Sequence, residues 1–449
     1  MKKLLLGGIA LLAAVGAASA ADIPARMPVK AAPVAAYDWN GFYLGGYWGT
    51  AVGQSTGRIS GTSDEAGVNE LALTGGLTAG YNWQVNPKWL VGLEGDIGYL
   101  GINRTFNQYN DADVTVGLKT DWYGTVRART GYVTGPSLLY VTGGAALVRM
   151  HDIFGGDTTV PYPPLTYSTT KIGWTVGGGI ETKLSRNWSS KTEYLFIDAG
   201  NTSFTENSTY QTPMTISHQF HIFKSGLNYQ FGGAGEGLPF FNTALLTPKH
   251  GWAGFYAGVN VGGGLSVTRV SGVSFRTGEN DINGGGFAGG VQAGYNVMLD
   301  PKWFAGVEGD IGYLGLDRTV ADWNDSANHI TFSQNTGWYG TIRGRAGATT
   351  GPALLYLTGG VAWVRVRDGL TNPGCFLCGT VSEVTTRTAS GWTFGGGTEV
   401  ALGMRLSAKL EYLYMDVGRS VLTDGSTWDA EFHNRFQIVR AGLNYKLGD

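Results

Sequence analysis

Along most of this chain, apolar and polar residues alternate with a period of two. In the stretch from Trp89 to Tyr99, one face carries Trp89, Val91, Leu93, Ile97 and Tyr99, and the other carries Gly92, Glu94, Asp96 and Gly98. Around 118–133, Trp122, Val126 and Ala128 share one side, with Tyr123, Arg127 and Arg129 on the other. A period of two predicts strands with one apolar face and excludes amphipathic helices, whose apolar positions recur every three to four residues. Tight turns are marked by Asn86-Pro87-Lys88, Thr134-Gly135-Pro136 and Arg186-Asn187. Longer polar segments lie near 56–69, 105–115, 153–169 and 203–216, so short and long connections alternate. That spacing predicts eight strands in an up-and-down antiparallel arrangement.

The pattern then repeats. Trp39-Asn40-Gly41-Phe42-Tyr43 returns as Trp252-Ala253-Gly254-Phe255-Tyr256, and residues 122–150 align with 338–366. Gly173-Trp174-Thr175 returns as Gly391-Trp392-Thr393, and Gly226-Leu227-Asn228-Tyr229 as Gly442-Leu443-Asn444-Tyr445. Such self-similarity over the full length marks a duplicated unit, its small differences confined to loops.

Composition narrows the class. Charged residues are 15% of the chain, against about 25% for soluble domains. Glycine (73 residues) and aromatics (12%) are abundant, and the formal net charge of −2 gives no nucleic-acid signal. After residue 20 no stretch has the ~18 apolar residues of a membrane helix. Low charge with alternating strands fits a membrane β-barrel, whose strands face lipid and lumen in turn. At the N-terminus, Lys2 and Lys3, the apolar run Leu4–Gly16 and Ala18-Ser19-Ala20 predict a secretory signal peptide over 1–20. Pro24, Pro28 and Pro33 make 21–36 an extended periplasmic tether.

The expected fold is therefore all-β: two tandem eight-stranded antiparallel transmembrane barrels, with one sixteen-stranded barrel as the alternative. The first would cover 37–232 and the second 251–449, joined by a periplasmic linker over 233–250. The linker favours two barrels, because neighbouring strands of one ring need only a turn of a few residues. Each copy also keeps its own first strand (Gly-Phe-Tyr) and last strand (Gly-Leu-Asn-Tyr), the pair that must meet to close a ring.

The start Trp39-x-Gly41-Phe42-Tyr43, the strand Gly92-x-Glu94-Gly95-Asp96-Ile97, the ending Gly226-Leu227-Asn228-Tyr229 and the mature start Ala21-Asp22-Ile23-Pro24 resemble the OmpA-like, Omp25/Omp31-type outer-membrane proteins of alphaproteobacteria. The resemblance covers nearly the whole mature chain, twice over. It implies an integral outer-membrane barrel of a Gram-negative bacterium, embedded in outer-membrane lipid and assembled by periplasmic chaperones and the barrel assembly machinery. Members are often labelled porins, and some are associated with surface interaction or haem binding. Most carry one unit where this chain has two, and here the last strand ends Tyr445-Lys446-Leu447-Gly448-Asp449 without a terminal aromatic.

The alternation assigns a repeated set of charges to the lumen. In the first copy these are Glu94, Asp96, Arg127, Arg129, Lys191, Glu193 and Lys224; in the second, Glu308, Asp310, Arg343, Arg345, Lys409, Glu411 and Arg440. Charges in a dry interior must be paired, and an eight-stranded ring is barely wide enough for its own side chains. The expectation is a salt-bridged plug, with a narrow ion path as the alternative. No enzyme, cofactor or metal site is expected. Trp39, Phe42, Tyr43, Trp89, Tyr99, Trp122, Tyr140, Trp174, Tyr194 and Tyr229 are expected in aromatic girdles at the membrane interfaces. Cys375 and Cys378, spaced C-x-x-C in a loop of an exported protein, suggest a local disulfide. Haem is disfavoured because His151, His218 and His221 form no repeated pair. The outward loops show no motif that names a ligand. Two functions stay open: a structural surface protein that displays loops and supports the envelope, and a low-conductance porin.

Overall fold

A computed structural model describes residues 37–59, 65–108, 111–155, 164–204, 214–231, 251–272, 278–321, 330–372, 381–423 and 429–448. Strand β1 (Gly41–Ile59) pairs antiparallel with β2 (Glu65–Asn86) on one side and with β9 (Met214–Gln230) on the other. From β2 the ladder passes to β3 (Trp89–Tyr99), and β3 and β4 (Asn103–Gln108) both pair with β5 (Asp111–Thr134). It continues through β6 (Ser137–Gly155), β7 (Leu165–Lys183) and β8 (Trp188–Phe204) back to β9. Since β3 and β4 are two segments of one row, the ring has eight rows.

The second copy repeats this plan. Strand β10 (Gly254–Gly272) pairs with β11 (Glu279–Met298) and with β18 (Asp429–Leu447). Between them run β12 (Trp303–Gly315), β13 (Asp317–Ala321), β14 (Thr331–Thr349), β15 (Ala353–Asn372), β16 (Val381–Ala401) and β17 (Leu406–Thr423). Each copy closes on its own first and last strands, so the fold is two eight-stranded barrels and the single sixteen-stranded ring is excluded. The tight turns fall where the sequence places them, and Gly135 takes the left-handed φ of +67° that its turn demands.

Side chains follow the predicted alternation. Leu93, Ile97 and Val126 point outward and are more than half exposed, as lipid-facing residues are when no bilayer is present. The partition of aromatics is finer than the girdle expectation. Phe42, Trp89, Tyr99, Trp122 and Trp174 are exposed on the outer face, but Trp39, Tyr43 and Tyr140 are buried inside the barrel. Adjacent strand residues point opposite ways, so Phe42 and Tyr43 cannot both face lipid. Tyr43 and Tyr140 turn inward because their hydroxyls find carboxylates there: Tyr43 donates to Glu94 at 2.5 Å and Tyr140 to Glu193 at 3.1 Å. Gly179 leaves room for this, since a Cβ there would lie 2.6 Å from the Tyr140 hydroxyl.

The strands are longer than the polar segments suggested. β5 has 24 residues and β7 has 19, against the 9–11 that span a bilayer. The described residues within the segments that read as loop near 56–69, 105–115, 153–169 and 203–216 are therefore wall rising out of the membrane. Polar residues such as Thr166, Ser168 and Thr170 extend the ladder there, because beyond the hydrocarbon the outer face no longer has to be apolar.

Candidate functional site

The lumen of the first barrel is filled in three layers. At the turn end, Trp39 packs with Leu90, Val133, Leu138 and Tyr140. Above this lies the charge cluster, and above that an apolar layer that includes Tyr47, Tyr123, Leu195, Phe220 and Ile222. The second barrel repeats the floor with Trp252, Phe304, Leu354 and Tyr356, and the upper layers with residues such as Tyr339, Leu413, Phe436 and Phe432.

All fourteen predicted lumen charges reach one or other of the two clusters. In the first, Arg127 on β5 binds Glu94, and also Asp96 at 2.6 Å and Glu193 at 2.8 Å. Lys191 reaches Glu94 at 2.8 Å, and Lys224 reaches Asp96 at 2.6 Å and Glu193 at 3.0 Å. Arg129 joins Glu94 at 3.1 Å to Glu181 at 2.9 Å. The second cluster has the same wiring: Arg343 to Glu308, Asp310 and Glu411, Arg440 to Asp310 and Glu411, Lys409 to Glu308, and Arg345 to Glu308 and Glu399. These side chains are at most a few per cent exposed.

Sequence reasoning missed one member per barrel, Glu181 and Glu399. With Glu181 counted, four carboxylates (Glu94, Asp96, Glu181, Glu193) face four cations (Arg127, Arg129, Lys191, Lys224), and the cluster is neutral. Glu399 balances the second cluster in the same way. The signal was available: Gly179-Ile180-Glu181 and Gly397-x-Glu399 recur two residues past the glycine run, at lumen parity. Buried polar partners complete both acids. Ser189 and Asn228 hold Glu181 at 2.6 and 2.8 Å, and Ser407 and Asn444 hold Glu399 at the same distances.

Oxygens of Glu94, Asp96 and Glu193 lie within 4.8 Å of one another, a grouping that could hold a cation. Arg127 and Lys224 already supply positive charge between them, so the cluster is self-compensated. Among the described residues the histidines do not converge. His218 is buried in the lumen beside Ser55, His221 meets Tyr194 on the outer face, and His151 sits near the rim with Ser168 and Asp121. Cys375 and Cys378 lie outside the described residues.

Closed, lumen-filled rings with apolar outer walls and aromatic borders define an integral outer-membrane barrel protein. The chain belongs to the family described as the outer membrane protein beta-barrel domain, which matches residues 8–231 and again 243–446. It is similar to the 31 kDa outer-membrane immunogenic protein of Brucella melitensis, at 33% identity over 251 residues, covering 51% of this chain and 100% of that protein. It is also similar to the 22 kDa outer membrane protein of Rhizobium leguminosarum bv. viciae, at 34% identity over 174 residues, covering 38% of this chain and 67% of that one. Among solved structures, Ail, the attachment invasion locus protein of Yersinia pestis, aligns at 14% identity with a TM-score of 0.24, over 42% of this chain and 99% of its own. The protein is located in the outer membrane of a Gram-negative bacterium.

Proposed function

We propose that this is a non-conducting, non-enzymatic structural protein of the cell surface, whose two plugged barrels hold extracellular walls and loops above the membrane and support the envelope. The observation that carries this reading is the neutral charge layer between apolar layers in each lumen, in which each charged side chain meets an opposite charge. A permeation path needs mobile water and uncompensated charge along its axis, and here the buried charges bind one another. The charge layer alone could be read as a gated ion path. The aromatic and aliphatic layers above and below it favour a plug. Surface display also fits relatives whose names call them immunogenic. In the cell, outer-membrane lipid and the assembly apparatus of the periplasm would be its partners, and any extracellular ligand would be met by the loops. Single-channel recording of the purified protein in a planar bilayer tests the proposal. The expected trace stays at baseline; steady ohmic openings would establish the low-conductance porin instead.

A further inference from the structure

We infer that the two barrels are partners by construction: each leaves an open seam between the second and third rows of its wall on the side of the long loops, and that seam is closed by the other barrel.

The seams follow from the strand registers. β2 pairs with β3 only over Gly75–Asn86, so residues 65–74 have β1 on one side and no strand of their own barrel on the other. β4, which should continue the third row there, pairs only with β5 within its barrel. The second barrel has the same gap: β11 pairs with β12 only from Phe287 onward, and β13 pairs only with β14. An open edge leaves backbone donors and acceptors that must be met or pay a desolvation cost.

They are met across the barrel–barrel contact. The Asn69 N–H donates to the Asp281 carboxylate at 3.0 Å, and the Gly67 N–H to Asn280 Oδ1 at 3.4 Å. Asn69 Nδ2 donates to the carbonyl of Ile282 at 3.0 Å, and Asn283 Nδ2 reaches past the seam to the carbonyl of Ser55 on β1 at 2.6 Å. One parallel backbone bridge joins Glu279 to Gln108.

The contact is reciprocal. The repeat equates Arg104 with Arg318, Glu65 with Glu279, and Asn69 with Asn283. Arg104 binds Glu279 at 2.6 Å, Arg318 binds Glu65, and the two asparagines meet at 2.8 Å between them. This is the arrangement of a two-fold dimer, in which each contact occurs twice and equivalent residues meet on the axis. Reciprocity is incomplete, and the break that decides pairing is at Asp281. Asp281, fully buried, takes two hydrogen bonds from Arg104 at 3.1 Å, and its counterpart in the first copy is Gly67. A Cβ on Gly67 would lie 2.1 Å from the Asp281 carbonyl oxygen. Two second barrels would therefore collide at this point, and two first barrels would lack the carboxylate. The surface fits the other copy and not its own.

Below the rim the outer faces also meet. Val52 packs with Leu265 and Val267, Thr192 bonds Thr398 at 2.7 Å, and the rings of Phe223 and Tyr412 stack at 5.3 Å. Gln437 is buried on an outer face and accepts from Tyr412 at 2.9 Å, a position that would be costly against hydrocarbon.

The test cuts the tether after folding. A protease site is inserted within 233–250, the full chain carries a C-terminal tag, and the linker is cleaved in nonionic detergent. The halves are expected to co-elute. In Gly67→Leu the first barrel should be released after cleavage while both halves still migrate as compact, heat-modifiable bands, which separates lost docking from lost folding. Leu73→Ala, on the lipid face, should leave co-elution unchanged. Independently, Asn69→Cys with Asn283→Cys, in a Cys375→Ser/Cys378→Ser background, should link the cleaved halves by a disulfide under oxidation. Separation of the unmutated halves, retention of the Gly67→Leu pair, or absence of the cross-link would each overturn the inference.

Discussion

Arg127 on β5 donates to Glu193 on β8 at 2.8 Å, directly across the lumen of the first barrel. The two strands are three rows apart in a ring of eight, so this bond ties opposite walls together. Burying each of these charges alone would be prohibitive, and their stability rests on mutual compensation. Replacing Arg127 by Met should leave Glu94, Asp96 and Glu193 short of a shared cation and cost about 3–5 kcal/mol. Arg343→Met should cost a similar amount in the second barrel, where Glu308, Asp310 and Glu411 occupy the same places. Urea-dependent unfolding in detergent, followed by the loss of the heat-modifiable band, measures both. Wild-type midpoints in the two variants would refute the compensated-plug account.

The layered lumen makes a second prediction. Because the apolar layer stands above the charges, opening either layer alone should not create a pore. Phe220, fully buried there, should cost about 3–5 kcal/mol when truncated to Ala. Bilayer recordings of Phe220→Ala should nonetheless stay at baseline, since the charge layer beneath is intact. Steady current through that variant would mean that the ion pairs do not seal the barrel.

Trp39 and Trp89 should respond differently to lipid. Trp89 is half exposed on the outer face, and Trp39 is buried in the barrel floor with Leu90 and Leu138. In vesicles containing brominated lipid, Trp89→Phe should reduce the quenchable fluorescence and Trp39→Phe should not. Equal effects would put Trp39 back in a girdle.

That contrast also shows how far the sequence could be read. Strand number, closure of each copy and the lumen charges were legible because a period of two assigns every residue to a face and the repeat supplies a second reading of each. Trp39 was misplaced because aromatic character alone does not say which face a residue takes; the parity of Phe42 and Tyr43 does. Glu181 escaped notice because it stands alone beside a glycine run, away from the Arg-x-Arg and Glu-x-Asp pairs. The seam at β2 and β4 was not legible at all. It depends on where two strands stop pairing, and the polar residues that fill it, such as Asn69 and Asn283, look from sequence like any loop.

The height of the walls gives the last prediction. Segment 153–169 reads as a polar loop, yet β6 runs to Gly155 and β7 begins at Leu165, with His151 opposite Ser168 and Phe154 opposite Leu165 in register. Amides in a paired ladder exchange slowly even where both faces are polar, because exchange requires the hydrogen bond to open. β7 pairs there with β6 alone, so hydrogen–deuterium exchange of the folded protein should show protection at alternate amides, those directed at β6, from Trp174 back through Thr170 to about Thr166. The equivalent stretch of β16, from Trp392 back to Glu383, should behave alike, since it pairs with β15 through Leu370. Fast exchange of these residues would confine the strands to the bilayer and return the rim to loops. Protection would mean that each barrel presents a rigid collar above the membrane, so a ligand or antibody would meet ordered strand edges before reaching the loop tips.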